Sequence, residues 1–191
     1  MTTEETRKFI ESGESRLLLS KEEIRNKVRE LGKQISKDYA GLCPILIGVL
    51  NGSFIFCADL FREISIDCEV DFIKISSYGE GTETSGVIKL KKDIDADLQG
   101  RHVIVVEDIV DSGYSINYLR ERIERVRPKS LKFVSLLVKE DTARTEYKID
   151  YVGFNIPNRF VVGYGLDFAQ KFRNLPAIYV MDEQVQTINS N

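Results

Sequence analysis

The chain has 191 residues, 42% of them apolar and 30% charged, which suits one domain with a real core and excludes a disordered chain. Its 27 basic and 30 acidic residues give a net charge of −3, opposite to the excess of cations with which a general nucleic-acid binder displaces counterions. No apolar run approaches the roughly 20 residues of a membrane-spanning helix, and the polar start Met1-Thr2-Thr3-Glu4-Glu5-Thr6-Arg7 has no apolar signal core.

In chain order, residues 1–16 are polar and are expected to be mobile at the end. Ser20-Lys21-Glu22-Glu23 is a capping box, and Ile24, Val28, Leu31 and Ile35 follow at helical spacing, predicting an amphipathic helix. The run 44–50 (Pro-Ile-Leu-Ile-Gly-Val-Leu) predicts a buried strand closed by Asn51-Gly52-Ser53. A helix over 54–64 puts Phe54, Ala58 and Phe61 on one side. Residues 69–76 alternate as a strand, and 86–90 is expected to pair with it as a hairpin. Between them, 78–86 is polar, holds Gly79, Gly81 and Gly86, and predicts a mobile loop. The strongest strand signal is 102–106, followed by a helix with Ile116, Leu119, Ile123 and Val126 at the right period, ended before Pro128. Further strands are predicted at 131–138, 151–155, 160–163 and 177–181. Short apolar strands alternating with helices predict an α/β fold, a parallel core β-sheet flanked by helices, with ligands bound beyond the carboxyl ends of the strands. Three cysteines (Cys43, Cys57, Cys68) without a Cys-x-x-Cys pair predict free thiols in a reducing cytoplasm, and the single histidine, His102, argues against zinc.

Chemistry concentrates at Glu107-Asp108-Ile109-Val110-Asp111-Ser112-Gly113-Tyr114-Ser115. Two carboxylates end a buried strand, and a third opens a loop of small hydroxylic residues that runs into a helix N-terminus. Amides, hydroxyls and helix dipole suit a phosphate, while the carboxylates suit Mg2+ or sugar hydroxyls. The same residue types also serve as ordinary helix caps. No Gly-x-x-x-x-Gly-Lys-Ser/Thr is present, and Gly163-Tyr164-Gly165 lacks the third glycine of a dinucleotide fingerprint.

This stretch resembles the phosphoribosyl-diphosphate (PRPP) signature of type I phosphoribosyltransferases. Leu50-Asn51-Gly52-Ser53, Ser77-Tyr78, Leu137-Val138-Lys139 and the run from Phe160 to Asp167, with Arg173 beyond, narrow the resemblance to the hypoxanthine-guanine phosphoribosyltransferase family over residues 17–183. The resemblance implies a type I phosphoribosyltransferase fold in a single domain, 1–191. Its small hood subdomain would come from the N-terminal segment near Leu17–Leu19 and the C-terminal part, and its mobile lid loop would lie at about 77–86.

It further implies Mg-dependent transfer of the 5-phosphoribosyl group to hypoxanthine or guanine, with IMP or GMP and pyrophosphate as products. Ser112, Gly113, Tyr114 and Ser115 would cradle the 5′-phosphate, and Glu107 and Asp108 would meet the ribose and Mg2+. Asp111 would be the general base at the purine. Leu50, Asn51 and Gly52, joined by a cis peptide after Leu50, would hold the pyrophosphate with Arg173. Lys139 would donate to the purine 6-oxo group, disfavouring adenine but leaving xanthine open. Phe160 would stack on the base, Val161 would meet its edge, and Asp167 would serve as metal ligand beside the purine. Ser77 and Tyr78 would begin the lid. Two departures stand out: Asn51 where many relatives carry Lys, and Ser115 where many carry Thr. The partners implied are small molecules and further copies of the chain, as a homodimer or homotetramer. A regulator of the same fold that binds nucleotide or RNA is the rival reading, opposed by the joint presence of Asp111, Lys139 and Asp167.

Overall fold

Residues 15–77, 88–139 and 148–181 are described by a computed structural model. The capping box forms as written: the Glu23 amide donates to Ser20 Oγ at 3.2 Å, and the Ser20 amide donates to the Glu23 carboxylate at 2.8 Å. It opens α1 (Lys21–Asp38), whose buried stripe includes Ile24, Val28, Leu31 and Ile35. Ser20→Ala is expected to cost about 1 kcal/mol of stability, read as a lower urea midpoint at unchanged slope.

The main sheet has six strands: β2 (Ile45–Leu50), β3 (Glu69–Ser77), β4 (Ile88–Lys92), β5 (His102–Val110), β6 (Ser130–Lys139) and β7 (Tyr151–Ile156). Their order is β4-β3-β2-β5-β6-β7. All neighbours are parallel except the β3–β4 hairpin. Such a sheet must be covered on both faces, which is why its central strands are nearly all apolar. On one face α1 and α2 (Phe54–Glu63) bring Leu31, Ile35, Phe56 and Leu60 onto Leu46, Ile104 and Val134. On the other, α3 (Tyr114–Glu124) brings Ile116, Leu119 and Ile123 onto Ile47, Val103, Val105 and Phe133. A second, small antiparallel sheet joins β1 (Ser15–Leu19), β9 (Ile178–Met181) and β8 (Val161–Val162) in the order β1-β9-β8.

Several expectations change. Ser15 and Arg16 are not a loose end but pair with Met181 and Val180; residues 1–14 lie outside the described residues. The side of α2 bearing Phe54 and Ala58 faces outward, and Phe56, Cys57 and Leu60 are buried instead. Val126 lies beyond the end of α3 and is exposed, because the chain turns at Arg127 with φ 55° before Pro128. The strand expected at 160–163 narrows to Val161–Val162. β5 runs on to Val110, four residues past the expected end at Val106, because β6 continues to pair with it through Ile109↔Leu137 and Val110↔Val138. Cys43, Cys57 and Cys68 are free thiols, and burial pushes that of Cys57 up to about 12. Among the described residues no helix is long and apolar enough to cross a membrane.

Candidate active site

The site grows from the carboxyl ends of β5 and β6. Glu107 and Asp108 are the last charged residues of β5; Glu107 is buried and Asp108 half-buried. Burial raises both carboxyls. Asp108 is pushed up to about 6 against the pull of backbone amides and Arg173, and Glu107 rises further because the Asp108 charge adds to the cost of burial.

Val110 pairs with Val138, so the next residues, Asp111 and Lys139, come level at the two strand ends. Lys139 Nζ donates to Asp111 Oδ2 at 2.7 Å. The lysine is buried, while the aspartate side chain is 54% exposed, so the pair joins a sequestered cation to a carboxylate open to solvent. From Asp111 the chain turns through Ser112 into α3. The N-cap is Gly113 at φ 85°, a conformation that suits glycine and leaves no capping side chain to compete for the first-turn amides. Ser115 lies in the first turn, and Tyr114 is half exposed, with its ring turned away from the core.

Next to this end lies the turn after β2. The Leu50–Asn51 peptide is cis, as the resemblance implied. Ser53 is fully buried and its hydroxyl donates to the Val49 carbonyl at 2.6 Å, closing the turn into α2. Gly52 is pressed against Asp108: a Cβ there would lie 1.8 Å from Asp108 Oδ2. The segment 163–173 packs on the same turn from the other side, close enough that a Cβ on Gly165 would lie 2.1 Å from the Gly52 carbonyl oxygen.

Arg173 fastens that segment. Its guanidinium donates to the Gly165 carbonyl at 2.7 Å and to Gln170 Oε1 at 3.1 Å, and it meets Asp167 Oδ1 at 2.8 Å. The second Asp167 oxygen accepts from the Gln170 amide at 2.8 Å. Asp167 and Arg173 are thus brought together, each already engaged within its own segment. Phe160 is 37% exposed and stands edge-on to Phe168 at 5.7 Å, while Val161 is buried in β8 against Val180. Ser77 ends β3 opposite Ile88; Tyr78 and the glycines of the expected lid lie outside the described residues.

Residues that the sequence reading did not single out for the site are Phe168, Asp59 and Tyr164. The Tyr164 hydroxyl donates to Asp59 Oδ2 at 2.6 Å across 105 positions of chain, which no local pattern signals. Among the described residues no three His, Cys, Asp or Glu side chains converge as a ready-made metal cage.

The phosphoribosyl transferase domain family matches residues 18–169. The hypoxanthine-guanine phosphoribosyltransferase of Bacillus subtilis (strain 168) is 45% identical over 170 residues, covering 89% of this chain and 94% of that protein. Bifunctional protein TilS/HprT of Listeria monocytogenes is 44% identical over 170 residues, or 89% of this chain; the chain spans about a quarter (26%) of that longer protein. Among solved structures, a hypoxanthine-guanine phosphoribosyltransferase of Bacillus anthracis with HEPES in its active site is 48% identical with a TM-score of 0.83, over 87% of this chain and 98% of that one. A Trypanosoma cruzi hypoxanthine phosphoribosyltransferase in complex with the product IMP is 41% identical with a TM-score of 0.81, over 88% of this chain and 95% of that one.

Proposed function

The chain belongs to the phosphoribosyl transferase domain family, and on that premise we propose that it is a purine-salvage enzyme which transfers the 5-phosphoribosyl group of PRPP to hypoxanthine or guanine, releasing pyrophosphate and IMP or GMP. The observation that carries the reading is the Asp111–Lys139 pair, 2.7 Å apart, at the start of the Gly113-capped loop that opens α3.

In this reading a purine ring nitrogen bonds to C1 of the ribose as the bond from C1 to the diphosphate oxygen breaks. Asp111, open to solvent on one side, takes the proton from the purine; Lys139 donates to its 6-oxo oxygen. Phe160 stacks on the ring and Val161 offers backbone atoms to its edge. Ser112, Gly113, Tyr114 and Ser115 hold the 5′-phosphate with the α3 dipole behind them. The backbone from Leu50 through Asn51 to Gly52 receives the departing pyrophosphate, so the lost Lys charge at Asn51 removes no amide donor. Arg173 stands beside that loop and adds a cation to the surface that receives the diphosphate. Mg2+ needs only one or two carboxylates beside water and phosphate oxygens. Asp108, pressed on the Gly52 turn, and its neighbour Glu107 fit that donor set, with Asp167 as a further carboxylate, and the ion would neutralise diphosphate charge. Most of the acceleration is positioning and electrostatics around a cationic C1.

The small β1-β9-β8 sheet serves as a hood over the purine. The active form is a homodimer or homotetramer, and its free thiols accord with a reducing cytoplasm.

The test is a nucleotide-formation assay with Mg2+, PRPP and, separately, hypoxanthine, guanine, xanthine and adenine. Turnover of hypoxanthine and guanine but not adenine is expected; failure with every base while PRPP still binds overturns the reading. Lys139→Ala is expected to raise the KM for hypoxanthine about tenfold or more and to narrow the oxo-over-amino preference, since a charged hydrogen bond is lost. Unchanged discrimination between hypoxanthine and adenine would remove Lys139 from that role.

A further inference from the structure

The two segments assigned to the pyrophosphate come from distant parts of the chain. One is the turn 50–53, which becomes the first turn of α2. The other is 163–173, with Arg173 bound back onto Gly165. Their mutual placement is fixed where Gly165 rests on the Gly52 carbonyl. One side-chain hydrogen bond spans the two elements just behind that contact, from the Tyr164 hydroxyl to Asp59 on the second turn of α2, at 2.6 Å.

Tyr164 is built for this. It has φ 50°, its amide donates to the Leu175 carbonyl at 2.8 Å, and its ring is buried. The amide of its neighbour, Gly165, donates to the Arg173 carbonyl at 2.9 Å. The other Asp59 oxygen is taken by Arg62, which holds the carboxylate in place on α2. On their far side the ring and the carboxylate border a cavity of about 370 Å³ between α1, α2 and residues 174–176. Beside that cavity the close Gly165–Gly52 contact and the Tyr164–Asp59 hydrogen bond hold the two elements together, the contact at the turn and the hydrogen bond behind it.

We propose that Tyr164 and Asp59 form a positioning pair that sets the spacing between the Gly52 turn and the Arg173 segment, and so tunes affinity for the diphosphate half of PRPP without touching it. The inference rests on the assignment of those two segments to pyrophosphate. Losing a hydrogen bond to a charged acceptor is worth about a tenfold change in an equilibrium constant.

The test is calorimetric binding of Mg-pyrophosphate together with steady-state kinetics of the full chain. Tyr164→Phe is expected to raise the pyrophosphate Kd and the PRPP KM about tenfold, with the hypoxanthine KM within about twofold of the parent. Asp59→Ala should match it, the double variant should be no worse than either single one, and Asp59→Asn, which keeps an acceptor, should restore tight binding. A pyrophosphate Kd unchanged in Tyr164→Phe, or a hypoxanthine KM rising in step with that for PRPP, overturns the proposal. Should Tyr164→Phe not fold, Asp59→Ala, on the partly exposed side of a helix, decides the matter alone. If the parent binds Mg-pyrophosphate but forms no nucleotide, the enzymatic reading fails while the binding series still tests the pair.

Discussion

Asp111→Asn is expected to lower kcat for IMP formation by about 10²–10⁴-fold, while the KM for PRPP stays within a few-fold of the parent. The amide matches the carboxylate in size and can still hydrogen-bond, but it cannot take a proton from the purine. The phosphate contacts are assigned to Ser112, Gly113 and Ser115 and the α3 amides, which the substitution leaves in place. The change also replaces the charged partner of Lys139, 2.7 Å away, with a neutral acceptor. Because that lysine is buried and Asp111 is half exposed, the cation bears most of the loss. A modest drop in stability should therefore accompany the kinetic defect. Single-turnover kinetics separate the two effects, and an equal loss of PRPP affinity and turnover would make Asp111 an organiser of the loop rather than a base.

The second large effect is Gly52→Ala, for which kcat/KM for PRPP should fall at least about 10²-fold. The added methyl would sit 1.8 Å from Asp108 Oδ2, about half the separation that touching atoms adopt. Asp108 lies between Glu107 and Ile109, which are both paired with β6, and the Gly52 carbonyl is backed by Gly165, so neither can yield cheaply. Either the carboxylate or the pyrophosphate turn must shift by an ångström or more, and misplacement on that scale is what a positioning catalyst tolerates least. Parent-like kinetics with an unchanged circular dichroism spectrum would refute the assignment of this turn.

Much of the fold was readable because local signals agreed with tertiary ones. The Ser20 box and the α1 stripe needed only spacing, and the branched runs of β2, β5 and β6 needed only composition. Where the reading failed, a longer-range term decided. Helix α2 carries apolar residues on more than one side, so periodicity could not tell that Phe56 and Leu60, rather than Phe54 and Ala58, meet the sheet. Glu107 and Asp108 looked like the end of a strand because they are charged, yet pairing with β6 carries β5 through them. The residues assigned to the site came from matched motifs, but the meeting of Asp111 with Lys139 follows from parallel register across 28 positions, and that of Tyr164 with Asp59 from a span of 105.

The central strand of the small sheet, β9, is also the last among the described residues, and β1 and β8 pair with it rather than with each other. On a ribosome, the six-stranded sheet has all its strands once residue 156 has emerged, whereas β1, the first described strand, waits for residues 178–181 before it has a partner. The wall that carries Val161 is therefore assembled last, by joining the two most distant described stretches of the chain. A chain stopped before residue 178 would carry the loop assigned to the phosphate without the cover assigned to the base.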